Sequence, residues 1–67
     1  MAVTPIPLRQ QVACVQREIR MRERVYPRWV QAGRISQAQA DAEIAAMKAV
    51  EHTLLSLVLS ASQGVLL

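Results

Sequence analysis

The sequence predicts an all-α chain: a kinked, antiparallel, coiled-coil-like two-helix hairpin that is completed as a helical bundle by self-association. Three observations predict it. Apolar residues recur at alternating four- and three-residue spacings in two separate stretches. A glycine and a helix-capping signal stand between those stretches. The second stretch also carries more leucine and valine than one partner helix can cover.

The first stripe reads Leu8, Val12, Val15, Ile19, Arg22, Tyr26 and Trp29, with Arg22 its single charged member. Thr4 is a suitable N-cap and Pro5 or Pro7 a suitable first-turn residue, so an arm over 1–6 should lead into helix one over 7–32. Pro27 lacks the N–H that the preceding turn needs and pushes Tyr26 away from helical torsions, which predicts a kink or break at 26–27. Gly33 is the residue that best tolerates a left-handed C′ position, placing a turn at 33–35. Ser36 followed three residues later by Gln39 is a capping box, with Ile35 before it as a hydrophobic staple, so helix two should begin at Ser36. It should run through an alanine-rich stretch to about 61, leaving 62–67 as a frayed tail from about Gly64. The whole of 1–67 is a single domain.

The second stripe reads Ala40, Ile44, Met47, Glu51, Leu54, Val58 and Ala61. Folding back at Gly33 sets Trp29 against Ala40, Tyr26 against Ile44, Arg22 against Met47 and Ile19 against Glu51. Arg22 and Glu51 then occupy adjacent layers and are expected to pair, fixing the register. Leu54, Leu55, Leu57, Val58 and Leu59 cannot all face helix one. A second copy is the expected cover, with Val50, Leu54, Leu55, Leu57 and Val58 as the self-association set. Size points the same way, because a chain of 67 residues buries only about 60% of its unfolded surface. The lone Cys14 allows no internal disulfide, and with His52 the only histidine there is no ligand set for a structural metal.

Charge is uneven. Residues 1–34 hold seven Arg against Glu18 and Glu23, net +5; residues 35–67 hold Lys48 against Asp41, Glu43 and Glu51, net −2, which recovers the overall +3. Met1 to Leu8 show no basic segment followed by an apolar one, so no secretory signal is expected, and Cys14 reads as a reduced thiol in cytoplasm. The most apolar run, Leu54 to Ala61, falls short of the roughly 20 residues that span a bilayer, so no membrane partner is expected.

No catalytic constellation emerges. His52 sits beside Glu51 with no nucleophile in reach, Cys14 has no histidine placed to activate it, and Gly33 and Gly64 make no phosphate loop. The expectation is a protein that is not an enzyme and uses no cofactor. Arg17, Arg20, Arg24 and Arg28 are spaced three, four and four, setting four guanidiniums along one face of helix one. Such a row can follow phosphates, with Trp29 at its end to stack a base. It can equally be a solvated flank whose arginines meet Asp41, Glu43 and Glu51 of helix two or of another subunit. Tyr26, Arg28, Trp29 and Arg34, gathered about the proline and the turn, are of the types enriched at protein-binding hot spots. Arg28 or Arg34 could also hold a small nucleotide-like anion where subunits meet.

Three segments, VYPRWV at Val25 to Val30, GRISQAQAD at Gly33 to Asp41 and EIAAMKAVEHTL at Glu43 to Leu54, carry a resemblance. From Ile6 to Leu57 the chain resembles small helical-hairpin proteins of bacteriophages and prophages that share a YPRWV, GRxSQAxAD and EIAxM pattern. The resemblance implies a cytoplasmic accessory protein that occupies a surface on a host or phage protein, for example to blunt a defence system. It transfers no site residue. Protein–protein interaction is thus the first functional expectation, and non-specific DNA or RNA binding by the arginine row the second.

Overall fold

The structure is a computed structural model that describes residues 5–64, with side chains described for 5–61. Two helices, α1 (Leu8–Gln31) and α2 (Gln37–Gly64), fold back on each other as a hairpin. The molecule is a slab of 51 × 30 × 16 Å, one helical layer thick.

Both stripes read from the sequence form the seam. Val12, Ile19, Tyr26 and Ala40 are its buried residues, and Leu8, Val15, Arg22, Ile44, Met47, Glu51, Leu54 and Val58 are half-buried around them. Near the turn, Tyr26 and Ala40 are buried, while Trp29 and the small Ala42 border an open cleft. Arg22 lies on the seam next to Tyr26, its guanidinium 6.0 Å from the ring centroid.

The termini of the helices follow from local chemistry. Pro7 is the N-cap of α1 and offers no side chain; its carbonyl instead accepts from the Gln10 and Gln11 amides at 3.0 and 3.1 Å. Pro7 is therefore outside the first turn in which it was expected, and Thr4 lies outside the described residues. At the other end, Gly33 has φ 75°, the Gly33 amide donates to the Val30 carbonyl at 3.1 Å, and the Arg34 amide donates to the Trp29 carbonyl at 2.9 Å. Those two bonds are the paired closure of a Schellman motif, which needs a residue free to take positive φ. The turn then feeds directly into the capping box: the Gln39 amide donates to Ser36 Oγ at 3.0 Å and the Ser36 amide donates to Gln39 Oε1 at 2.9 Å. Ser36→Ala should cost about 1 kcal/mol, read as a lowered urea midpoint with unchanged slope; a change near zero would mean that packing alone sets this end.

Helix one, expected over 7–32, spans Leu8–Gln31, and three further features depart from expectation. No break occurs at 26–27, and α1 runs through Pro27 as one element. Pro27 is exposed, so the Glu23 carbonyl deprived of its partner can be satisfied by water. Helix two starts one residue later than expected, with Ser36 as its cap, and continues to Gly64. A glycine near a helix end costs only about 1 kcal/mol against alanine and does not forbid the helix. The rest of the expected tail, 65–67, lies outside the described residues.

Candidate nucleic-acid interface

The expected Arg22–Glu51 pair does not form. Arg22 Nε donates to Glu18 Oε1 at 2.9 Å and its Nη1 to Glu43 Oε2 at 3.4 Å, while Glu51 Oε2 accepts from Gln16 Nε2 at 3.1 Å. Glu18, one turn back on the same helix, is already in reach of Arg22 without any inter-helix constraint. The hydrogen bond to Glu18 is the main influence holding the Arg22 guanidinium above its ordinary value, working against the small loss of hydration. Arg22→Met and Glu51→Met should therefore be additive within about 0.5 kcal/mol; a larger coupling in a double-mutant cycle would restore the pair.

Register is held by other contacts. Gln16 to Glu51 and Lys48 Nζ to Glu23 Oε2, at 3.5 Å, cross between the helices within a turn of the expected layers. Both lie at the margin of the seam, where exposed pairs contribute about 0–1 kcal/mol each.

These pairings settle where the acids go. The chain has five, and each is engaged away from the arginine row. Glu18 and Glu43 meet Arg22, Glu23 meets Lys48, Glu51 accepts from Gln16, and Asp41 Oδ1 accepts from Gln37 Nε2 at 2.9 Å. Arg17, Arg20, Arg24 and Arg28 are all exposed and form no ion pair among the described residues. At 3.6 residues per turn the four fall within an arc of about 80°, opposite the stripe that carries Ile19 and Tyr26. Arg20, Arg24 and Arg28 point away from α2, whereas Arg17, at the edge of the row, also lines the groove that Val50 and Leu54 of α2 share; none of the four pairs with the acids that were expected to neutralise them. Arg9, also exposed, extends the same face toward the helix start. Arg17 to Arg28 spans roughly 16 Å of helix axis at 1.5 Å per residue.

The proposed hot-spot set is divided. Tyr26 is 9% exposed and belongs to the core, whereas Trp29 is 37% exposed and leans on it with ring centroids 5.4 Å apart and planes tilted by 34°. The two line a cleft of about 250 Å³ with Ile35, Gln39, Ala42 and Glu43. Arg28 and Arg34 are exposed and line neither this cleft nor the larger groove beside Cys14.

The self-association set is divided too. Leu54 and Val58 are half-buried in the hairpin seam, while Val50, Leu55 and Leu57 are exposed. Leu59, which was outside that set, is the most exposed of the large apolar residues among the described ones, at 62%. The alanines before Leu54 extend the apolar run, so that Gln37–Ala61, 25 residues, is long and apolar enough to cross a membrane by length and composition. Comparison with protein-family models, curated proteins and solved structures finds no match.

Proposed function

We propose that this chain is a non-catalytic binding module whose outward α1 face holds the phosphate backbone of DNA or RNA without reading sequence. One observation carries the reading: Arg17, Arg20, Arg24 and Arg28 share one exposed arc of α1 while all five acids are engaged elsewhere. Unpaired guanidiniums in a row displace condensed counterions when they meet phosphates, and that release is the source of non-specific affinity. Contacts of guanidiniums with phosphates position a protein and carry no sequence information. Small proteins of the phage type that this chain resembles provide a fitting setting, a cytoplasm in which phage and host nucleic acid are both present.

Fluorescence anisotropy of labelled duplex and single-stranded oligonucleotides, from about 50 to 200 mM salt, tests the reading. Four phosphate contacts on duplex DNA give a slope of about −3.6 in log K against log salt, which is a loss of roughly 10²-fold over that range. Absence of binding at the lowest salt would reject it.

A second reading rests on Trp29. Its exposed ring beside the small cleft, with the exposed Arg28 before it and Arg34 after the helix end, provides the aromatic and guanidinium types of a protein-binding hot spot. Trp29→Ala in a pull-down from host lysate separates the two readings, because it removes the hot spot and leaves the arginine row whole.

A further inference from the structure

We propose that the groove between the two helices at the open end of the hairpin binds a single-chain anionic amphiphile of the long-chain fatty carboxylate type. The groove holds about 740 Å³, within the roughly 300–1,000 Å³ usual for small-molecule sites. Its apolar lining comes from both sides: Ile6 and Val15 on one, Val50 and Leu54 of α2 on the other, with Pro5 and Cys14 beside them. Ile6 and Val50 are 50% and 46% exposed, so the hairpin by itself leaves this lining in water. Hydrocarbon laid along it removes apolar surface from water on both partners.

The polar members of the lining fix the head group. They are Gln10, Gln11 and Arg17. Gln11 is already committed, its Nε2 donating to the Ile6 carbonyl at 2.8 Å. Gln10 and Arg17 remain, two turns apart on α1, and Arg17 is in no ion pair among the described residues. No acid lines the groove among those residues. Glu18, next to Arg17 in the chain, is held by Arg22, and Glu51, in the neighbouring layer, accepts from Gln16. A guanidinium bordering an apolar groove with no carboxylate at hand offers the paired hydrogen bonds that a carboxylate accepts. An alkyl chain over Val15, Val50 and Leu54 with its carboxylate at Arg17 meets both halves of that chemistry. A second copy of the chain would bury Arg17 without a partner, because every acid is engaged elsewhere. A nucleic-acid strand would meet Arg17 and leave the apolar lining in water. The site shares Arg17 with the arginine row and does not depend on nucleic-acid binding.

Isothermal titration calorimetry with dodecanoate, kept below the concentration at which it forms micelles, tests the proposal on the whole chain. The rate of Cys14 alkylation gives a second readout from within the groove. One dodecanoate per chain is expected, slowing alkylation saturably, while acetate, which has the head and no chain, should do neither. Decanoate, shorter by two methylenes, should bind about tenfold more weakly. Dodecyltrimethylammonium, with the same chain and the opposite charge, should bind at least tenfold more weakly, and Arg17→Gln should weaken dodecanoate binding by a similar factor. Lys48→Gln, which removes a positive charge from the other flank, should leave it unchanged. Val50→Glu should abolish it, with helicity by circular dichroism retained because Val50 is exposed. Absence of saturable binding overturns the proposal, as does equal affinity for the two dodecyl compounds or indifference to Arg17→Gln. Shielding of Cys14 by anionic phospholipid vesicles and not by dodecanoate would overturn it in favour of a membrane surface. Shielding that follows protein concentration alone would overturn it in favour of a second copy.

Discussion

Replacing Arg20 and Arg24 together by glutamate is expected to abolish oligonucleotide binding at 200 mM salt and to weaken it at least 100-fold at 50 mM. The substitutions remove two phosphate contacts of four and put two carboxylates in their place. Losing the contacts alone halves the salt slope, from about −3.6 to about −1.8 on duplex DNA. The carboxylates then repel the phosphates on either side. Stability should be nearly untouched, since both arginines are exposed and neither is in an ion pair among the described residues, and substitutions at such sites usually stay within about 0.5 kcal/mol. Arg22→Glu makes the contrast, because Arg22 is turned toward Glu18 and Glu43 on the seam. It should cost stability and leave the salt slope nearly as it was. Equal loss of binding from both variants would mean that any loss of positive charge suffices, and the row would have no special standing.

The difference between those arginines is also where sequence reading reached its limit. Helical periodicity placed Val12, Ile19, Tyr26 and Ala40 on the seam because burial of an apolar stripe repeats every three or four residues and needs nothing else to be legible. Gly33, Ser36 and Gln39 were legible for a similar reason: each has one local job, and its hydrogen-bond partners lie within five residues. Ion pairing has no such period. Glu51 sits in the layer beside Arg22, yet Glu18 and Glu43 take the guanidinium and Gln16 takes the carboxylate. Several partners within a turn of one another differ by less than the energy of an exposed pair, about 0–1 kcal/mol, which sequence spacing cannot rank. The same weakness hid the most informative feature of the surface, an arginine row left without acids, since that depends on where every acid goes. Pro27 shows the opposite case. A strong local rule predicted a kink or a break at 26–27; the break does not occur, since α1 runs through Pro27 as one element on whose exposed side the freed carbonyl can turn to water.

Tyr26→Ala is expected to destabilise the chain by about 3–5 kcal/mol, a large share of what holds a domain of this size, for which roughly 3–10 kcal/mol is ordinary. Tyr26 is among the four buried residues, it supports the Trp29 ring at 5.4 Å, and it lies beneath the Arg22 guanidinium. Its removal takes the largest of the buried side chains out of the seam and leaves a void between the helices. Trp29→Ala should cost about half as much, since over a third of that residue is already in water. Tyr26→Phe should be nearly neutral, within about 0.5 kcal/mol, because the ring is retained and no buried hydroxyl is left without a partner. Urea unfolding followed by circular dichroism at one fixed protein concentration reads all three, the fixed concentration removing any contribution of self-association. A Trp29→Ala variant less stable than Tyr26→Ala would reverse the roles of the two rings and make Trp29 the plug of the hinge. Trp29 would then be too deeply committed to the fold to serve as a binding residue, and the hot-spot reading would fall with it.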